Sequence, residues 1–392
     1  MSKEYIYYSQ PTLDTSDFNC LKKVFKSNFL TQGPQIRLFE KKISNFVNSK
    51  FAVGLNSATS ALHAACFSLG FKKNDILWTV PNTFVASANC AKYLGGKVDF
   101  VDINYKTKNI DIELLEKKLS KTKKKNLPNI LVTVDFAGNP VCQDKIYKLS
   151  KKFKFKIIED ASHALGATYK KERVGSCRWC DVTIFSFHPV KTITTGEGGV
   201  ATTNSKKIYE KLKMFRTHGI TREKNKLVNK KESKKDWYYE QQFLGFNYRL
   251  TDIAASLGLN QMKKIRIILI KRNKIAKFYN ENLKDLPLLL PIVEKIAFSS
   301  FHLFSISIIL PEAEKIQKKL YDYLKSNGIL SNLHYLPVHL HPFYRKQGFK
   351  VNDFPNAELH AKSSLSIPIY PNLKFESQKK IVSLIKKFFK KY

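Results

Sequence analysis

Residues 184–199 read Ile184-Phe-Ser-Phe-His-Pro-Val-Lys191-Thr-Ile-Thr-Thr-Gly196-Glu-Gly-Gly199. An apolar run ends in Ser186, His188 and Lys191, then turns through glycines toward residues 200–202, which read as a hairpin partner. A lysine directly after a buried strand, followed by hydroxyls and a tight turn, sits where desolvation lowers its pKa and frees its amine for Schiff-base chemistry. Lysine is also this chain's commonest charge, so position alone fits an ordinary solvated loop residue equally well. Its company along the chain distinguishes the two readings.

Upstream, strands and helices alternate. After an extended lead-in at Tyr7-Tyr8-Ser9-Gln10-Pro11, Asp14 reads as the cap of a helix ending near Asn28. The turn Asn28-Phe29-Leu30-Thr31-Gln-Gly33-Pro34 leads to an amphipathic helix over 36–47. A short strand at 51–55 breaks at Asn56-Ser57-Ala58-Thr59-Ser60 into a helix running to about Leu69. Free backbone N–H groups and hydroxyls at a helix start suit a phosphate, and suit a plain N-cap as well. Strands at 76–80, 98–102, 130–134 and 157–158 alternate with helices at 84–96, 112–119 and 142–153. This βαβα rhythm is that of a mainly parallel sheet covered by helices on both faces, with ligands beyond the carboxyl ends of its strands. One such end is acidic, Ile157-Ile-Glu159-Asp160-Ala-Ser162-His163. Asp160 there is either a turn former or the partner of a ligand's ring nitrogen.

Downstream, residues 221–240 read as a basic, polar, mobile loop. Thr251-Asp252 caps a helix to about Met262, and a separate long helix over 266–283 reads as a bridge to a C-terminal α/β domain. That domain is expected to hold strands at 301–310 and 329–335, a helix at 312–327 and a terminal helix from about 376. The division falls as 1–265 and 266–392.

Composition narrows the classes. A 392-residue chain with 43% hydrophobic residues can bury a large core. The net charge of +36 suggests polyanions, but the lysines lie singly or in short runs without an aromatic-interleaved groove. Nucleic acid is therefore not the expected partner, although a basic binder remains a rival class. No apolar run is long enough to span a membrane, and Met1-Ser-Lys-Glu-Tyr5 lacks the apolar core of a signal peptide, so a soluble cytoplasmic protein is expected. Six scattered cysteines fit reduced surroundings. Cys177 and Cys180 have C-x-x-C spacing but no second ligand pair nearby, and His334, His339 and His341 lack Cys or acidic companions, so no metal is expected.

The ordered set N-S-A-T-S-A-L (56–62), P-N-T-F-V-A-S-A (81–88), I-E-D-A-S-H-A-L-G (158–166), F-S-F-H-P-V-K (185–191), G-E-G-G (196–199) and G-F-N-Y-R-L (245–250) resembles the DegT/DnrJ/EryC1/StrS aminotransferases. These are pyridoxal-phosphate enzymes that aminate nucleotide-linked keto sugars. The resemblance implies the fold-type I, aspartate aminotransferase-like architecture: a large three-layer αβα domain with a mainly parallel sheet, a smaller C-terminal α/β domain, and a homodimer with active sites at its interface. It also implies that Lys191 holds pyridoxal 5′-phosphate and shuttles protons. Asp160 would pair with the ring nitrogen, Phe84 stack on the ring and His163 pack beside it. Ser57, Ala58, Thr59 and Ser186 would hold the phosphate, reached by Asn247 from the partner subunit. The sugar nucleotide would meet Tyr8, Asn28, Phe29, Leu30, Thr31, His188, Asn332, Leu333, His334 and Tyr335. Y-S-Q-P (8–11), L-T-Q-G (30–33), His163 and His188 most resemble the pseudaminic acid branch. The implied substrates are UDP-2-acetamido-2,6-dideoxy-β-L-arabino-hexos-4-ulose and L-glutamate. Another UDP- or GDP-linked 4-keto sugar, or a non-catalytic relative, stays open.

Overall fold

In the computed structural model, residues 5–392 are described; the opening Met1–Glu4, part of the segment read as lacking a signal-peptide core, lie outside the described residues. Helices α1 (Thr15–Phe25) and α2 (Pro34–Val47) precede strand β1 (Phe51–Leu55). There follow α3 (Ala58–Ser68), β2 (Ile76–Thr79), α4 (Ala86–Lys92), β3 (Lys97–Phe100), α5 (Ile112–Lys121), β4 (Ile130–Val134), α6 (Gln143–Phe153), β5 (Lys156–Asp160), β6 (Val182–Ser186), β7 (Gly199–Thr203) and α7 (Lys206–Phe215).

The seven strands form one sheet in the order β1-β7-β6-β5-β4-β2-β3. β2 to β6 run parallel, while β7 is antiparallel to both β6 and β1. The expected hairpin thus closes the lysine loop. Phe187 N–H donates to the Gly198 carbonyl and Thr195 N–H to the Phe187 carbonyl, so the loop from 188 to 197 hangs off the end of the sheet. The five parallel strands put their carboxyl ends on the same side, which assembles Asp160 and Ser186 at one edge.

Helix α8 (Asp252–Leu283) is continuous over 32 residues. The expected break between 262 and 266 is absent, because a helix whose faces pack on α1, α2 and the C-terminal elements needs no cap at its middle. The expected division at 265/266 falls inside this helix. Beyond it, β8 (Leu288–Leu289), β9 (Phe304–Ile308) and β10 (Ser364–Ile367) form a three-stranded antiparallel sheet, flanked by α9 (Ala313–Ser326), α10 (Pro342–Arg345), α11 (Pro355–Ser363) and α12 (Phe375–Phe389).

The strand expected at 329–335 does not form. Ile329 and Asn332 make only single bridges, to Ile6 and Ser366, and after them the Tyr335 and Val338 N–H groups donate to Asn82 Oδ1 and the Pro81 carbonyl, just past β2 of the large sheet. The basic 221–240 segment is closed at its base by Ile220–Gln241 and Thr221–Glu240 pairs.

Ties across the chain fix these parts. Gly33 and Gln35 N–H groups donate to the Asp252 carboxylate at 2.7 and 2.8 Å, so the first residue of α8 caps α2. Asp102, just past β3, accepts from Asn356 and Ala357 N–H groups of α11.

Candidate active site

A cleft of about 500 Å³ opens at the carboxyl ends of the parallel strands. Its floor is Asp160 at the end of β5 with Ser162 after it, and Ser186 at the end of β6 with Lys191 after it; one wall is the start of α3, and the other is the 332–335 segment with Tyr8. The second wall itself joins opposite ends of the chain.

Each group is held by local chemistry. Ser57 accepts from Ser60 N–H and so caps α3, leaving the first N–H groups, at Ala58 and Thr59, turned to the cleft mouth. Gly199 lets this happen: a Cβ there would lie 2.5 Å from the Ala58 nitrogen. The Asp160 carboxylate accepts from Ser87 Oγ at 2.6 Å and from Ser162 Oγ at 2.6 Å, which fixes its plane. Lys191 follows a turn in which its N–H donates to the His188 carbonyl, and Ser9 Oγ ties the adjoining Val190 carbonyl to the N-terminal segment at 3.1 Å.

Burial brings the Lys191 pKa down to about 8, against the opposing pull of the Asp160 carboxylate. Uncharged histidines surround it. Burial first, then the Lys191 charge, pushes His163 well below the ordinary imidazole value and His334 down to about 3; burial first, then His163 and Lys191, pushes His302 well below it too. Burial raises Tyr335, and Asp160 adds to the effect, so its hydroxyl keeps its proton. The cleft therefore holds one tunable amine, one anchored carboxylate and a set of neutral hydrogen-bonding rings.

Tyr8, Ser57, Ala58, Thr59, Phe84, Asp160, His163, Ser186, His188, Lys191, Asn332, Leu333, His334 and Tyr335 all line this cleft. Phe84 is 59% exposed at its mouth and His188 stands at its lip. Asn28, Phe29, Leu30 and Thr31 are not brought into it. The Leu30 carbonyl accepts from Asp252 N–H, Thr31 bridges Thr251, and Phe29 lines a separate groove between α1, α2 and α8. Asn247 is likewise outside, exposed and bridged to Thr217.

Sequence reading missed Ser87, Ser162 and His302. The first two stand inside quoted motifs, at the spacing that lets them reach the carboxylate. His302, whose ring centroid lies 4.4 Å from that of His163, falls inside the strand expected at 301–310, but β9 begins only at Phe304 and leaves His302 in the segment before it. The three C-terminal histidines do not converge: His334 Nδ1 bonds Ser366, whereas His339 Nε2 pairs with buried Glu358 at 3.0 Å.

A lysine facing an anchored carboxylate beyond a mainly parallel sheet, beside a helix N-terminus, defines a fold-type I α/β transferase. The DegT/DnrJ/EryC1/StrS aminotransferase family matches residues 11–386, and the chain belongs to it. It is 40% identical over 373 residues to a UDP-4-amino-4,6-dideoxy-N-acetyl-beta-L-altrosamine transaminase of Campylobacter jejuni, covering 95% of this chain and 94% of the relative. Among solved structures, Helicobacter pylori PseC, an aminotransferase involved in the biosynthesis of pseudoaminic acid, aligns with a TM-score of 0.88 at 32% identity over 99% of this chain and 100% of that one. The PLP-form of Spr1654 from Streptococcus pneumoniae, a sugar aminotransferase by its description, aligns with a TM-score of 0.89 at 26% identity, covering 99% of each chain.

Proposed function

We propose that the cleft takes pyridoxal 5′-phosphate on Lys191 and moves an amino group from L-glutamate to C4 of UDP-2-acetamido-2,6-dideoxy-β-L-arabino-hexos-4-ulose. The product is UDP-4-amino-4,6-dideoxy-N-acetyl-β-L-altrosamine, an intermediate of pseudaminic acid biosynthesis. The observation that carries the chemistry is the pairing of the Lys191 amine, with a pKa brought down to about 8, with the anchored Asp160 carboxylate in one cleft. The choice of sugar rests on the 40% identical transaminase.

The residues present fit this cofactor. The capped start of α3 offers Ala58 and Thr59 N–H groups, and Ser186 a hydroxyl, to a dianionic phosphate. Asp160 receives hydroxyl donors from Ser87 and Ser162 and keeps acceptor capacity for a ring N–H. Phe84 offers an exposed ring face for stacking. Pyridoxal phosphate, when bound, supplies an aldehyde that amines join and a ring that draws electrons from the carbon beside nitrogen.

Lys191 then acts as the base and acid that carries the proton between the two reacting carbons, a task suited to an amine of lowered pKa. Asp160 holds the ring nitrogen protonated. His163 packs beside the ring, and His188 shapes the mouth. Tyr8, Asn332, Leu333, His334 and Tyr335 orient the sugar nucleotide and exclude water. Asn247, outside its own cleft, serves the phosphate of a partner subunit in a homodimer.

The test is an absorbance spectrum of the protein loaded with pyridoxal phosphate. A visible band that collapses with L-glutamate and returns with the UDP-linked L-arabino 4-keto sugar is the expected result. Return only with a different nucleotide sugar would reassign the substrate. Lys191→Ala should give no band and no turnover; normal turnover by that variant would overturn the mechanism.

A further inference from the structure

We propose that Tyr335 is a one-way hydrogen-bond donor to the bound sugar, its direction set by His163, and that this separates an acceptor oxygen of the keto sugar from the ammonium of the aminated product. The ligand identity rests on the function proposed above; the direction of the bond does not.

The direction follows from three atoms. Ala137 N–H lies 3.2 Å from His163 Nδ1. A backbone N–H only donates, so Nδ1 carries a lone pair. The ring is buried and neutral, so its one proton is on Nε2. Nε2 lies 3.1 Å from Tyr335 Oη, and the bond therefore runs from His163 to Tyr335. The tyrosine's own hydrogen is left for another acceptor, and among the described residues Oη has no other partner. Tyr335 lines the cleft with Lys191 and Asp160, so the acceptor is a ligand atom.

The starting point of this relay is rigid. The turn over 136–138 holds Ala137 at φ 58° and Gly138 at φ 89°. A Cβ on Gly138 would lie 2.1 Å from Ser300 Oγ and 2.8 Å from the His163 carbonyl oxygen. Ser300 Oγ donates to that carbonyl at 2.7 Å, Leu303 N–H donates to the Ala137 carbonyl, and the His302 ring packs on His163. Neither ring nitrogen of His163 can exchange roles without losing a bond to a fixed backbone. A carbonyl oxygen accepts what Tyr335 donates; an ammonium brings only donors and meets none of the tyrosine's free valence.

His163 is thus a positioning residue and Tyr335 the group that touches substrate. Nitrogen-15 spectra of histidine-labelled protein, with His163 assigned by its loss in His163→Gln, read the tautomer without turnover. A proton on Nε2 is expected; a proton on Nδ1 would overturn the proposal. Tyr335→Phe should raise KM for the keto sugar about tenfold, one lost bond of roughly that worth, while the dissociation constant of the amino-sugar product stays within twofold. Equal changes for both ligands would refute it. His163→Leu frees Tyr335 Oη to accept, so product binding should tighten, and His163→Gln, which can both accept and donate, should restore the parent ratio. Absence of any turnover with nucleotide keto sugars would refute the proposed function while leaving the tautomer measurement to judge the bond.

Discussion

Lys191 shows how a single residue acquires its chemistry from its surroundings. Its pKa is brought from 10.5 to about 8, so between those values the unfolded chain keeps a proton that the folded protein has released. Stability from this group therefore rises as pH increases from about 8 toward 10.5, and below that window the fold carries the cost of a desolvated ammonium. A neutral side chain removes the cost. Cofactor-free Lys191→Met should resist urea better than the parent at pH 7, and the difference should shrink by pH 10. A parent more stable at pH 7 would show that burial does not govern this amine. In the same way, the rate at which the protein takes up pyridoxal phosphate should rise with pH, with a midpoint near 8, followed by the growth of its absorbance. The residue type was legible in the sequence; its lowered pKa follows from the burial and neighbours that the fold assembles around it.

At the scale of elements, two close approaches position the cleft. β7 begins at Gly199, against the first turn of α3. Gly199→Ala forces a Cβ into the Ala58 nitrogen and pushes the phosphate-binding end of α3 outward. Overpacking of this kind costs about 1–3 kcal/mol, and cofactor affinity should fall by at least tenfold in an equilibrium titration. The second approach is made by α8, whose Arg272 is 1% exposed and donates to the carbonyls of Phe301, His302 and Ile369 at 3.2, 3.1 and 3.0 Å. It holds the segment that packs on His163. Arg272→Met leaves three buried carbonyls without their donor and should destabilise the protein by about 2–4 kcal/mol, read by chemical denaturation.

For the whole molecule, the cleft joins groups that are far apart in the chain: Tyr8, Lys191 and Tyr335 line it together, and a single bridge from Ile6 to Ile329 ties the N-terminal segment to the C-terminal part. Asn247 and the 28–31 turn stay outside it. If Asn247 serves a neighbouring site, Lys191→Ala and Asn247→Glu subunits, each inactive alone, should regain activity when mixed and re-associated, since a mixed dimer keeps one intact site. A mixture as inactive as its parents would place Asn247 outside the mechanism, and light scattering should report a dimer. The sequence by itself determined the alternating strands and helices, the capped start of α3, the acidic end of β5 and the lysine after β6. These depend on side-chain periodicity and on residues a few positions apart, and such signals are local. The unbroken α8, the loss of a strand at 329–335, the bonds from Ser87 to Asp160 and from His163 to Tyr335, and the place of His302 were decided only by the tertiary structure. Each depends on which surfaces meet when distant segments pack, and no local pattern carries that information.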